Sequence, residues 1–143
     1  MSPASADAPF PTASDEQSVR VVTVAFNPGE ELDRFLASLA AATVRRLTVV
    51  IADNGTEHDV VTAAAQRYGA RVVGDGTNLG YGAGANLAAA DLQEDWLVVA
   101  NPDLIWRPGS LDVLIDAGLA NPAAGCLGPL LLNTDGTVYP SGR

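Results

Sequence analysis

Apolar residues along this chain fall into two alternating kinds of run. Val19–Ala25, Leu47–Ala52, Ala70–Val73 and the Trp96–Ala100 part of Asp95–Asp103 are short, rich in β-branched residues and nearly unbroken. Runs of this kind without polar alternation predict strands of a sheet covered on both faces. Between them, apolar positions recur at helical spacing: Leu32, Phe35, Leu36 and Leu39 on one face; then Val60, Val61, Ala64, Ala65 and Tyr68 of a second amphipathic helix; then Leu111, Leu114, Ile115 and Leu119, these four facing inward. Another helix begins within the glycine-bearing connection Gly74–Asn86 and runs to about Gln93. Cys126–Leu132 is expected to be a further buried strand, with Cys126 packed as a small apolar residue, and Thr137–Tyr139 to start another short one. Strands alternating with helices predict right-handed crossovers and a mainly parallel sheet between helical layers, an α/β three-layer sandwich.

The breaks between runs carry the polar chemistry. Phe26-Asn27-Pro28-Gly29 ends the first strand, and Glu30 and Glu31 open the helix after it, where the macrodipole favours acids. Asp53-Asn54-Gly55-Thr56 ends the second. Asn101-Pro102-Asp103 ends the central stretch, because Pro102 has no N–H for a sheet ladder. Pro108 stands near the start of the next helix and Asn121-Pro122 at its end. Residues 1–18, rich in Pro, Ala, Ser and Asp without periodicity, read as a flexible tail, leaving 19–143 as one domain.

Composition narrows the function. A hydrophobic content of 48% is that of a globular protein. No unbroken apolar stretch is long enough to span a membrane, and the start lacks a basic and an apolar leader region, so a cytoplasmic location is expected. A net charge of -9 disfavours a nucleic-acid partner. Every basic residue is Arg, which excludes a P-loop lysine and a Schiff-base lysine. The single Cys126 allows no internal disulfide and no thiolate zinc site. The single His58, in the opening turn of the second helix, reads as a solvated surface residue. A diphosphate site here would need a metal, backbone amides or Arg to offset charge.

Ligands of open α/β sheets bind at the carboxyl ends of the strands. Asn27 is either a loop residue or the first polar side chain to meet a base or ribose there. Asp53 is either the head of an Asx turn, with Asn-Gly supplying unusual backbone angles, or an acceptor for a nucleoside. Asp103 either terminates a turn or holds a hard divalent cation against a diphosphate. Gly80-x-Gly82-x-x-Ala85 matches the dinucleotide fingerprint, but it follows the third strand, whereas the fingerprint belongs to the first strand-to-helix turn.

With these segments in order, the chain resembles the family 2 glycosyltransferases of GT-A (Rossmann-like) fold, and within them the bacterial rhamnosyltransferase-like branch. The resemblance runs from Val19 to Arg143. It rests on Val22–Asn27, Val50–Gly55, Asn78–Asn86, Asn101–Asp103 and Leu127–Thr137, with the closing Pro-Ser-Gly-Arg. It implies that Ala25, Phe26, Asn27, Asp53, Asn54, Asn78, Gly80, Gly84, Asn86, Asn101 and Asp103 line a nucleotide-sugar site. It implies that Asp103, last carboxylate of a D-x-D-type motif whose first position is here Asn101, coordinates Mg2+ or Mn2+. The implied reaction is transfer of a sugar with inversion, L-rhamnose from dTDP-rhamnose, to a saccharide or polyprenyl-diphosphate-linked acceptor in the full-length protein. That acceptor would bring the protein to the inner face of the plasma membrane. The family's general base lies beyond the segment matching Leu127–Thr137, so no catalytic residue is identifiable here. The chain then reads as a truncated, donor-binding portion without its acceptor half, and inactive alone. A dinucleotide-dependent oxidoreductase and a non-catalytic nucleotide-binding module are the competing readings.

Overall fold

Every residue of β1 (Val19–Ala25) is buried, and this strand lies inside the sheet with a neighbour on each side. The computed structural model describes residues 10–12 and 16–140. The chain forms two compact units, Met1–Asp112 and Val113–Arg143, and the sheet belongs wholly to the first. β2 (Leu47–Asp53), β3 (Arg71–Val73) and β4 (Trp96–Val99) complete it in the order β3-β2-β1-β4, all parallel. α1 (Glu31–Leu39), α2 (His58–Tyr68) and α3 (Tyr81–Ala88) are the crossovers.

Handedness decides the layers. Right-handed crossovers from β1 to β2 to β3 put α1 and α2 on one face; the return from β3 past β1 to β4 puts α3 on the other. Val22, Val24, Val50 and Ala52 cluster with Ala85 and Ala88 of α3. Leu32, Phe35, Leu36 and Leu39 form the buried face of α1, which packs on α2. The strand order reverses between β1 and β4, so a ligand crevice is expected above their carboxyl ends.

The expected α/β arrangement is present, with local corrections. β4 is not covered on both faces: Leu97 is 42% and Val99 48% exposed. Register sets them beside Arg20 and Val22, on the α3 face, while α3 packs on β1 and β2. An unbroken apolar run shows that a strand tolerates burial on both faces, not that a layer exists to bury it. α3 ends at Ala88 rather than Gln93, because Asp91 adopts a left-handed φ of 58° and turns the chain away. Val60 is exposed. The expected tail falls partly outside the described residues. Its described parts are tied down: Phe10 is buried, Leu47 N–H donates to Pro11 O at 3.0 Å, and Trp96 Nε1–H donates to Gln17 Oε1 at 2.7 Å.

α4 (Ser110–Ala120) begins in the first unit. There Asp112 accepts from the Thr43 hydroxyl at 2.5 Å, Val44 N–H at 3.0 Å and Arg45 at 2.6 Å. In the second unit Ile115 is buried, but Leu119 is exposed instead of inward. Cys126–Leu132 forms no strand and Cys126 is exposed. Gly128-Pro129 interrupts the run, and proline removes a ladder donor. In place of the strand pair expected at Thr137–Tyr139 there is one antiparallel bridge, Leu132 to Val138, closed by Asn133 N–H on Thr137 O at 2.8 Å.

Among the described residues four buried side-chain polar atoms lack a hydrogen-bond partner: Arg20 Nε, Thr23 Oγ1, Trp106 Nε1 and Ser110 Oγ. Thr23, in mid-β1, is fully buried and its hydroxyl has no hydrogen-bond partner. Thr23→Val keeps the shape and removes the unmet desolvation cost. It is expected to stabilise the chain by about 1 kcal/mol, a rise of roughly 2–5 °C in Tm by calorimetry. An unchanged or lower midpoint would contradict this.

Candidate functional site

β1 and β2 end together, Ala25 beside Asp53, and the loops above them are stitched by side chains. Asn27 takes a left-handed φ of 47°, which Asn tolerates better than most residues. Its Oδ1 accepts from Thr56 N–H at 2.8 Å and Glu57 N–H at 3.1 Å. These are orphan donors ahead of α2, whose own N-cap Glu57 makes no side-chain cap bond. Gly55 does not supply the unusual backbone angle expected of it; it supplies room. A Cβ there would stand 2.4 Å from Asn27 Oδ1.

Asp53 is buried. Its Oδ1 accepts from Gly55 N–H at 3.1 Å, the Asx turn, while Oδ2 lies 2.6 Å from His58 Nδ1. His58 is exposed, as its position suggested, and in addition reaches back to this buried acid. Its pKa is raised, first by the hydrogen bond to Asp53; burial opposes this, and the charges of Asp53, Asp59 and Asp75 add to it. Gly76 N–H donates to the Asp53 carbonyl at 3.1 Å, closing the β3–α3 loop over the same place.

Asn54 is buried and donates from Nδ2 to Gly80 O at 3.0 Å. Asn78 Oδ1 accepts from Gly80 N–H at 3.0 Å. Gly80, at φ 80°, is thus held from both sides where α3 starts. Gly84 is buried against Val24 and Asn54, and Ala25 is buried in the sheet; Phe26, Asn78 and Asn86 are exposed.

Asn101 and Asp103 are exposed on the loop after β4. Tyr81, first residue of α3, has its phenol pKa raised by burial and then by the charge of Asp103, so that carboxylate lies within electrostatic reach of the start of α3. Asp53 thus leads through Asn54 and its hydrogen bond to Gly80 to the start of α3, which feels the charge of Asp103. Among the described residues no three His, Cys, Asp or Glu side chains gather as a metal cage. A lone exposed carboxylate fits a hydrated hard cation, with diphosphate and water filling its other positions, as Mg2+ is usually held.

Sequence reasoning missed His58, Gly76 and Tyr81. The usable signal was adjacency: His58 opens the helix that directly follows the Asp53 turn, and Tyr81 follows the glycine that Asn54 holds.

Comparison with known proteins matches residues 20–140 to "Glycosyl transferase family 2", members of which commonly use divalent metals. The chain is 48% identical over 135 residues to the N-acetylglucosaminyl-diphospho-decaprenol L-rhamnosyltransferase of Mycobacterium tuberculosis, in strains CDC 1551 / Oshkosh and ATCC 25618 / H37Rv. Each alignment covers 86% of this chain and 44% of the relative, so the chain spans less than half the length of the curated relatives it matches. Among the described residues no helix is long and apolar enough to cross a membrane. Matched from the second residue of β1 to the end of the described residues, the chain belongs to glycosyl transferase family 2.

Proposed function

We propose that residues 19–143 are the nucleotide-sugar-binding portion of an inverting glycosyltransferase that takes L-rhamnose from dTDP-rhamnose. The observation that carries this reading is the hydrogen-bonded edge from Asp53 through Asn54 to Gly80 at the carboxyl end of the sheet, with Asp103 exposed on the loop after β4. One end presents a buried carboxylate suited to a nucleoside's N–H or hydroxyl donors. The other presents an exposed carboxylate suited to a cation on the diphosphate. Asn27, Asn54 and Asn78 hold the loops between them in place. Phe26, Asn86 and Asn101 are exposed and complete the lining; Ala25, Gly80 and Gly84 shape the floor.

The reaction is attack of an acceptor hydroxyl on the anomeric carbon as the nucleoside diphosphate leaves. Mg2+ or Mn2+, held by Asp103, would offset charge growing on the leaving oxygen. The residues of this chain bind and orient the donor; none is assigned as the base that takes the hydroxyl proton. The relatives' name supports a polyprenyl-diphosphate-linked saccharide as acceptor, and such a lipid would bring the full-length protein to a membrane surface. Calorimetry with dTDP-rhamnose, other dTDP- and UDP-sugars and NAD(H), each with and without Mn2+, tests the reading. Binding of dTDP-rhamnose, tightened by Mn2+, is expected. Binding of NAD(H) without any nucleotide sugar would overturn it in favour of an oxidoreductase.

A further inference from the structure

We infer that His58 is a positioning residue for the nucleoside: as an imidazolium it locks the Asp53 carboxylate in its binding orientation, and Gly76 provides the slot for its ring. The inference rests on the proposed nucleoside role of Asp53 and adds a residue to it.

Three observations carry it. First, the carboxylate of Asp53 is gripped on both oxygens, by Gly55 N–H at 3.1 Å and His58 Nδ1 at 2.6 Å, and its side chain is only 6% exposed. Two such bonds fix its plane, so it meets a ligand without reorganising. Second, the His58 side chain is 53% exposed, so the ring stands between the buried acid and solvent. Third, the loop from β3 is built around that ring. Gly76 has φ 86°, and a Cβ on it would stand 2.1 Å from His58 Cε1 and 2.5 Å from the Gly55 carbonyl oxygen. Side chains at this position are excluded by both backbone angle and space.

The charges facing the ring are all acidic: Asp53 from β2, Asp59 from α2 and Asp75 from the β3–α3 loop. They hold the imidazolium above its ordinary range. The contribution is thus fully present below about pH 6.5 and is lost as pH rises through the raised value. A neutral ring with its proton on Nδ1 still donates to Asp53, so the loss on deprotonation is partial.

The test measures thymidine diphosphate affinity by calorimetry from pH 6 to 9 for the wild-type chain, His58→Asn, His58→Ala and Asp53→Ala, with far-UV circular dichroism as the folding control. Asn carries an amide N–H near the place of Nδ1 and does not titrate. Titration of the ligand's own phosphate is common to all four and cancels in their ratios. The ratio of wild-type to His58→Asn affinity should fall as pH rises. His58→Ala should bind about fivefold more weakly at pH 6, and His58→Asn should recover most of that loss. NMR of the imidazole should show its raised pKa returning toward the ordinary value in Asp53→Ala. Coincident pH profiles for wild type and His58→Ala, with Asp53→Ala still weakened, would overturn the role of His58 alone. Unaltered affinity in Asp53→Ala would overturn the reading on which it rests.

Discussion

Asp103→Asn is expected to abolish the metal dependence of nucleotide-sugar binding while leaving the fold intact. The side chain is exposed, and no hydrogen bond or ion pair ties its carboxylate to another described residue. Removing its charge therefore costs the folded state almost nothing. In the proposed site the same change removes the carboxylate that the chain offers the cation. An interaction with a full charge is worth up to about 3 kcal/mol, or roughly 100-fold in affinity. Calorimetry with dTDP-rhamnose should show that loss in the presence of Mn2+ and a much smaller one in its absence. A second readout comes from Tyr81, whose raised phenol pKa is due to burial and, after it, to Asp103. Ultraviolet titration should find that phenol ionising at lower pH in Asp103→Asn. Undiminished, metal-dependent affinity in the variant would remove Asp103 from the site.

Arg20→Ala is expected to destabilise the first unit strongly, by about 3–5 kcal/mol as measured by chemical denaturation. That is a large share of the 5–15 kcal/mol typical of a domain. Arg20 lies buried on β1 under the end of α3. It donates from Nη1 to Ala90 O at 2.7 Å and from Nη2 to Asp91 O at 3.2 Å, and it pairs with Glu94 at 2.9 Å. α3 has eight residues, too few to be stable by itself. Alanine at position 20 leaves Glu94 without its cation in a side-chain environment only 10% exposed. The paired variant Arg20→Met with Glu94→Leu should recover much of the loss, since the carbonyls of exposed Ala90 and Asp91 can turn to water. Burial acts to raise the Glu94 pKa, but hydrogen bonds from Thr48, the backbone and Arg20 outweigh it and leave it lowered. The stability this gives is present above the ordinary carboxylate value near 4.5 and fades as pH falls through the lowered one. A loss below about 1 kcal/mol for Arg20→Ala would show that the pair holds nothing in place.

β1, β2 and the apolar face of α1 were legible because their signals are local. Val19–Ala25 and Leu47–Ala52 are β-branched runs bounded by turn residues, and Leu32, Phe35, Leu36 and Leu39 recur at the helical period. The polar residues Asn27, Asp53 and Asp103 were legible as strand-end residues for the same reason. What each side chain does there was not. Asn27 was a loop residue or a ligand contact by sequence; the structure makes it the cap of the α2 start, at the cost of a left-handed φ. His58 looked solvated because its neighbours in sequence are polar, yet its bond reaches back to a buried acid.

Burial of the later segments was equally beyond local pattern. Cys126–Leu132 is apolar enough for a strand, but Gly128-Pro129 breaks its ladder and its side chains remain largely exposed. The order and type of the first elements, and the acids and amides at their ends, are determined by the sequence alone, since periodicity and turn chemistry act between residues a few positions apart. Strand order, the open flank of β4, the joining of Asp53 to His58 and the nearness of Asp103's charge to Tyr81 are decided only by tertiary structure. Crossover handedness and the packing of α3 bring together groups that no short-range pattern connects.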